Sequence, residues 1–257
     1  MLDLWIGSGL KNVRFSGGEP TLYPRLPELV RKCDLSDVEH IAISTNGSMS
    51  REYYDALLAE GVNDFSISLD GGCCSIGDDM AGKVDSWEHT VDIIEYLSAK
   101  AYVTVGMVFT EDNVDDCFGA VCFAHNLGVS DIRVISAAQY NKALERLTKL
   151  PDKILDAHPI LKYRVDNFRM GRNVRGITES DARKCSLVLD DMAVAGGFHF
   201  PCIIYMREGG DPIGKVSDNM RQERKEWSKT HDCLNDPICK EMCLDVCIDY
   251  NNKASIW

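Results

Sequence analysis

The stretch VRFSGGEPTL, Val13 to Leu22, decides how the chain reads. It is a short β-branched and aromatic run that enters a Gly-Gly-Glu-Pro turn. Two glycines without Cβ atoms let a backbone approach a ligand closely. A carboxylate follows, and Pro20 stiffens the exit through its fixed φ. Four further runs have the same character: HIAISTNG (40–47), DFSISLDG (64–71), YVTVGMVF (102–109) and DIRVIS (131–136). With KNVRFSG (11–17) they predict five strands. Between them LPELVRKC, SREYYDALLAEG, SWEHTVDIIEYLSAK and NVDDCFGAVCFAHNLG carry apolar residues at helical spacing. Ser50 and Asn113 are the expected N-caps, and Gly61 and Gly128 the expected stops. Alternating strands and helices predict an α/β fold with a parallel sheet and right-handed crossovers. Ligands of such sheets gather at the carboxyl ends of the strands. The small, polar tips GGEP, STNG, SLDG and FTEDN would lie along that one edge.

Composition narrows the classes. The chain has 257 residues, 45% hydrophobic and 26% charged, with a net charge of −12. That size suits one large domain with an appendage. The acidic balance argues against a nucleic-acid surface. The basic cluster Arg221–Lys229 is interleaved with Glu223 and Glu226, and reads as a solvated helix face. No run of about 18 apolar residues offers a membrane span. The opening MLDLWIGSGL has no basic n-region, so the expected location is the cytoplasm. Eleven cysteines in that setting point to metal ligands rather than disulfides. Residues 141–180 read as one or two basic helices broken at Pro151 and Pro159. A boundary near 175–182 separates residues 1–180 from a Cys-rich segment, 181–257.

GGEP at Gly17–Pro20, TNG at Thr45–Gly47 and SLDG at Ser68–Gly71, in that order, resemble the core of a radical S-adenosylmethionine enzyme. MAGKVDSWEHTVDII and the TEDN turn fit the same resemblance, which covers about residues 1–140. It implies a partial (β/α)6 TIM-like barrel that binds a [4Fe–4S] cluster and S-adenosylmethionine, with the cofactors carrying a radical hydrogen abstraction. In that reading Gly17 and Gly18 admit the ligand, Glu19 meets its ammonium group, and Pro20 rigidifies the turn. Ser68 and Asp70, two apart on a strand, face the ribose together. Ser44 or Asn46 lines the same pocket, Lys83 pairs with the methionine carboxylate, and Val134 with Ile135 contacts the adenine. Tyr140, Arg169 and Arg172 are only generic candidates for the substrate side.

The family's CxxxCxxC loop, expected before GGEP, is not present. Twelve residues precede Val13, without a cysteine, and Cys73-Cys74 cannot form such a loop. The expected fold is therefore a barrel missing its first strand, with an unpaired sheet edge. Two origins remain open, an N-terminal truncation and a homologue that lost the cluster.

In the tail, Cys185-x11-Gly197-x4-Cys202 is followed by Cys233-x5-Cys239-x3-Cys243-x3-Cys247. This resembles the SPASM/Twitch extension of radical S-adenosylmethionine enzymes, although Thr230 stands where a further cysteine belongs. The resemblance implies one auxiliary [4Fe–4S] cluster on Cys185, Cys202 and Cys243, completed by Cys233, Cys239 or Cys247. A structural zinc site with four cysteine ligands is the alternative. The partners implied are a peptide or small-molecule substrate and a reductant protein, with neither nucleic acid nor membrane. The competing class is a non-catalytic scaffold with a metal-stapled tail. The chain as given is expected to release no 5′-deoxyadenosine after anaerobic iron–sulfide reconstitution, and chromatography of the products checks this.

Overall fold

A computed structural model describes residues 1–136 and 141–254. It divides the chain into two compact units, Ile6–Arg172 and a second made of Met1–Trp5 with Asn173–Trp257. The sequence alone places the change slightly later, near 175–182.

The first unit alternates as expected. After α1 (Leu2–Gly7), which straddles the division, its elements run β1 (Asn12–Phe15), α2 (Leu26–Asp34), β2 (His40–Thr45), α3 (Arg51–Ala59), β3 (Asp64–Ser68), α4 (Cys74–Ala81), α5 (Ser86–Ser98), β4 (Tyr102–Phe109), α6 (Cys117–Asn126) and β5 (Asp131–Ser136). The five strands form one parallel sheet in the order β1-β2-β3-β4-β5, with β1 at an edge. Register explains its two faces. Phe15, Ile43, Phe65 and Val103 stand side by side, and Ile43, Phe65 and Val103 have no exposure. On this face Tyr54 of α3 meets Phe65 edge-on at 5.8 Å. The helices bury Leu26 and Val30, Leu57, Ile93, Ile94 and Leu97, and Ala120 and Val121. Each fully buried aliphatic side chain contributes about 1.5–3 kcal/mol. The other face is polar. Arg14 and Asp64 share it with Ser44, Ser66 and Ser68 and with Arg133 of β5.

Two expected caps act differently. Ser50 occupies the N-cap position of α3 without bonding its backbone; its hydroxyl instead binds Glu52. Asn113 precedes a 3-10 turn without capping it, and its amide ties strand ends together. Helix α4, which follows SLDG, has no counterpart in the sequence reading. After the sheet come three helices rather than one or two: α7 (Lys142–Leu147), α8 (Asp152–Ala157) and α9 (Pro159–Arg169). Pro151 and Pro159 explain the breaks, because proline is tolerated only in the first turn of a helix. Arg169 closes α9 and donates to Asp166 and to the Thr148 carbonyl. Tyr140 lies outside the described residues. Among the described residues no helix is long and apolar enough to cross a membrane.

The second unit holds β6 (Ala193–Ala195), β7 (Phe198–Phe200), α10 (Ile203–Arg207), β8 (Gly214–Lys215), α11 (Met220–Thr230), α12 (Pro237–Met242) and α13 (Asp245–Ala254). Strands β6, β7 and β8 form an antiparallel sheet. The β6–β7 turn passes through Gly196 and Gly197, at φ +57° and +83°. Two successive positive φ values are what a tight two-residue hairpin turn requires. The signal AVAGGFHF is therefore present in the sequence, where Gly197 serves the reading above only as a spacing marker. The basic cluster of α11 is not wholly solvated either, since Arg224 is 3% exposed. Its Nε donates to Val188 O at 2.7 Å and its Nη1 to Phe200 O at 2.8 Å. Its Nη2 donates to Pro201 O at 3.1 Å and to Asp191 O. One guanidinium thus satisfies four carbonyls, that of Phe200 at the end of β7 and those of Val188, Asp191 and Pro201 in the connections around the sheet, a duty its five donors suit. Arg224→Ala should destabilise the protein by more than about 2 kcal/mol by orphaning those carbonyls. Lys225→Ala, on the exposed side of the same helix, should change stability by less than about 0.5 kcal/mol. Urea unfolding of the two variants measures the difference.

Candidate functional site

The carboxyl ends of the strands are laced together by side chains from the polar tips. Glu19 is the first lace. Its Oε1 accepts from Thr21 N at 3.1 Å, Thr21 Oγ1 at 2.7 Å and Thr45 Oγ1 at 2.8 Å. Its Oε2 accepts from Asn46 N at 2.7 Å. The GGEP tip after β1 is thereby fastened to the TNG tip after β2. Thr45 Oγ1 also accepts Gly47 N at 3.2 Å and lies 3.2 Å from the Tyr54 hydroxyl. Burial holds the Tyr54 hydroxyl above the usual phenol range. The carboxylate assigned to a ligand ammonium is occupied in holding the turn.

The second lace joins β3 to β4. Strand β3 ends at Ser68, so Asp70 lies beyond it and does not share its alternation with Ser68. The Asp70 carboxylate instead accepts Val108 N at 2.6 Å. Burial raises its pKa above the ordinary carboxylate range, and the Val108 N–H opposes that rise. Asn113, 2% exposed, donates through Nδ2 to both Asp70 O and Val108 O at 2.9 Å, and accepts Thr110 N at 2.8 Å. Its place in the TEDN turn is the available clue, but a helix N-cap and a strand-end clamp use the same short amide.

What the laced tips leave open is backbone and small side chains. Gly17 and Gly18 are exposed, and a Cβ on either would meet no other atom within 4 Å. The protein's own packing therefore does not demand these glycines, and the space beside them is free. Gly17 also has a φ of +156°, which L side chains rarely adopt. Pro20 is buried and opens a 3-10 turn that Glu19 caps. Ser44 lies on the polar face and accepts Arg14 Nη1 at 3.3 Å, while Arg14 Nη2 binds Asp64 Oδ2 at 2.9 Å. Asp64 Oδ1 is buried without a hydrogen-bond partner. Asn46 is exposed, and its Oδ1 accepts Ser48 N at 3.0 Å. Ser68 is exposed on the polar face and Lys83 on the loop after α4. Val134 turns its side chain into the core at 4% exposure, leaving Ile135, 37% exposed, as the apolar group on the open side.

In the second unit, all six cysteines named from the sequence line one partly open pocket. Cys185, Cys202, Cys233, Cys239, Cys243 and Cys247 share its wall with Ile177, Tyr205 and Trp227, and all six are free thiols. Cys202 precedes α10 and accepts Tyr205 N at 3.4 Å. Asn251 fastens Cys185, donating to its Sγ at 3.7 Å while accepting Ser186 N and Leu187 N. Burial pushes the Cys202 thiol up to about 11. A hydrogen bond with Cys185 pulls the Cys233 thiol down, but Cys239 and burial outweigh it and leave it at about 12. Cys243 is strongly raised by its hydrogen bond to Cys247, whose own thiol that bond lowers. So many thiols in an apolar wall cannot all ionise without a cation among them, which is the chemistry of a thiolate-ligated metal group. His231, which the sequence reading does not single out, stands at this wall with its Nε2 3.7 Å from Cys239 Sγ.

The sheet and its laced tips define a class. Residues 2–121 match the sequence model of the Radical SAM superfamily. A probable GTP 3′,8-cyclase of Metallosphaera sedula is 26% identical over 157 residues, 57% of this chain and 49% of that protein. The GTP 3′,8-cyclase of Chlorobaculum tepidum is 38% identical over 71 residues, 27% of this chain and 22% of that protein. The chain thus spans about half the length, or less, of these curated relatives. Among solved structures, Streptococcus suis SuiB bound to S-adenosylmethionine matches with a TM-score of 0.56 at 16% identity, over 93% of this chain and 63% of that one. SuiB bound to precursor peptide SuiA gives 0.55 at 16%, over 93% and 57%. A histidine-tagged anSMEcpe with bound AdoMet gives 0.61 at 18%, over 88% and 70%. These likenesses show a shared fold, an α/β architecture consistent with a partial TIM-like barrel.

The Glu19 lace is open to a direct check. Glu19→Ala removes the acceptor from Thr21 N and Asn46 N, so hydrogen exchange at these amides should accelerate by about tenfold or more. Exchange at Ile43 and Phe65, inside the sheet, should stay unchanged, as read by NMR or mass spectrometry.

Proposed function

We propose that the laced strand tips bind S-adenosylmethionine and that the cysteine-lined cavity holds one auxiliary [4Fe–4S] cluster. In a full-length form the chain would then be the body of an enzyme that modifies a peptide or small polar substrate. The observation that carries the reading is the free space beside Gly17 and Gly18, which the Glu19 lace holds open at the sheet edge where the family binds its cofactor. The φ of Gly17 accounts for that glycine, whereas Gly18 has neither a packing nor a conformational reason and leaves room for something outside the protein.

The residues present fit that ligand. The Gly17–Gly18 backbone leaves room for the aminoacyl end, with Lys83 as a cation for its carboxylate. Ser44 and Ser68 offer hydroxyls on the polar face, and Asp64 Oδ1 is an acceptor still lacking a donor. Ile135 and the Val134 backbone suit an adenine ring. When bound, the cofactor and a catalytic cluster supply reductive sulfonium cleavage and hydrogen abstraction. No residue of this chain is assigned to that catalytic cluster: Cys33 and Cys117 are buried in the core, Cys122 is half-buried on α6, and Cys73 and Cys74 are exposed at the start of α4. In the tail, Cys185, Cys202, Cys243 and Cys247 are the proposed auxiliary ligands. A peptide is the favoured substrate class because SuiB shares the fold and is known with its precursor peptide. A reductant protein completes the scheme.

A second reading, a scaffold with a structural zinc, draws on the same laces. Glu19 and Asp70 hold the tips together for a structural reason, which gives them a role even without a cofactor.

Calorimetry with S-adenosylmethionine separates the two. Gly18→Val, whose Cβ meets nothing in the protein, should leave stability within about 0.5 kcal/mol and weaken binding by at least about tenfold. No binding to the parent, or equal binding to the variant, rejects the first reading. Iron–sulfide reconstitution should give a brown protein with about four iron per chain, and Cys202→Ser should lose it. A colourless protein holding only zinc would sink the auxiliary cluster.

A further inference from the structure

We propose that His231, Cys233 and Cys239 bind a single zinc-type ion, at a site distinct from the group formed by Cys185, Cys202, Cys243 and Cys247. This goes beyond the reading above and does not depend on iron occupying the four-thiolate group.

Spacing is the first argument. The ligand atoms of His231, Cys233 and Cys239 all lie within 4.8 Å of one another, with Cys239 Sγ 3.7 Å from His231 Nε2. A tetrahedral ion with metal–sulfur bonds of about 2.3 Å and metal–nitrogen bonds of about 2.0–2.1 Å holds its donors roughly 3.5–4 Å apart. An iron–sulfur cube places each thiolate on a different iron corner, so its ligands must stand further apart. The triad is thus sized for one ion.

Pre-organisation is the second. The His231 ring is stacked on Trp227 at 3.9 Å and 16°, and Tyr205 meets it edge-on at 6.0 Å. Its backbone is held at both ends, the N–H by Trp227 O at 2.8 Å and the carbonyl by Lys184 Nζ at 2.8 Å. Cys233 is 3% exposed, and its N–H donates to Arg183 O at 2.9 Å. Cys239 N donates to Asp236 Oδ1 at 2.7 Å. The other oxygen of Asp236 accepts the Tyr205 hydroxyl at 3.0 Å and lies 3.7 Å from His231 Nε2. A carboxylate therefore stands beside the imidazole as an outer partner, braced by its own hydrogen bonds.

Charge is the third. A divalent cation with two thiolates and a neutral imidazole is electroneutral, so only the Asp236 carboxylate beside it, which accepts Cys239 N and the Tyr205 hydroxyl, keeps a charge there. The ion would join the end of α11 to the start of α12, a crossing that the small core of Ile177, Cys233 and Ile248 secures only weakly.

The test uses the full chain, reconstituted anaerobically with iron and sulfide, then given excess Zn2+, freed of unbound metal and read by metal analysis and zinc-edge X-ray absorption. The expected shell is two sulfurs at about 2.3 Å with nitrogen or oxygen at about 2.0–2.1 Å. His231→Ala should weaken zinc binding by at least about tenfold. His231→Cys, which keeps a ligand and guards against a folding defect, should retain the ion with a third sulfur in its shell. If the four-thiolate group takes zinc instead of iron, the parent should hold two ions with an averaged shell richer in sulfur. His231→Ala should then lose one ion together with the nitrogen signal. That outcome counts against the auxiliary cluster and still supports this site. A parent shell of four sulfurs, or zinc content and shell unchanged in both variants, overturns the proposal.

Discussion

The carboxylate of Glu19 is the contact on which the carboxyl edge of the sheet depends. A parallel sheet ends in loops that have no ladder to hold them, so their conformations must be fixed by side chains. Glu19 does this with few atoms, taking two hydroxyls and two backbone N–H groups from two adjacent tips. Because an ionised carboxylate makes stronger hydrogen bonds than a neutral acceptor, one residue can hold both turns. The glycines beside it stay free of internal contacts as a result. Asp70 and Asn113 repeat the device one strand further on.

The second unit solves a different problem. It has little apolar core, and several residues packed there are cysteines, which behave as small hydrophobes while they remain thiols. Small units of this kind need further fastening. Arg224 supplies part of it by threading a guanidinium among four carbonyls of β7 and the connections around it. The clustered thiols are the other resource, since a cation that draws them into ligation would turn a weakly packed wall into a set of strong metal–ligand links.

Much of this is legible in the chain. Strand and helix alternation follows from period and composition, and five short β-branched runs with glycine-rich exits leave few topologies open. The ordered GGEP, TNG and SLDG tips carry the resemblance because each follows a strand at the same carboxyl edge of the sheet. Less is legible where one residue type serves several geometries. Asn113 looks like a cap and is a clamp. Asp70 looks like a ligand contact and is first a strap for Val108, because β3 stops two residues before it. Arg224 looks like part of a solvated face, since a basic run is usually exposed, and nothing local announces that its stem points inward.

The chain alone was enough for the order of the elements, the family resemblance of its first half and the identity of the sulfur-bearing positions. These depend on local propensity and on spacing along the backbone. Which donors Glu19 gathers, which way Val134 and Ile135 turn, and which thiols stand beside His231 were settled only by folding. Each joins residues far apart in sequence, and no local pattern encodes the distance at which distant segments come to rest.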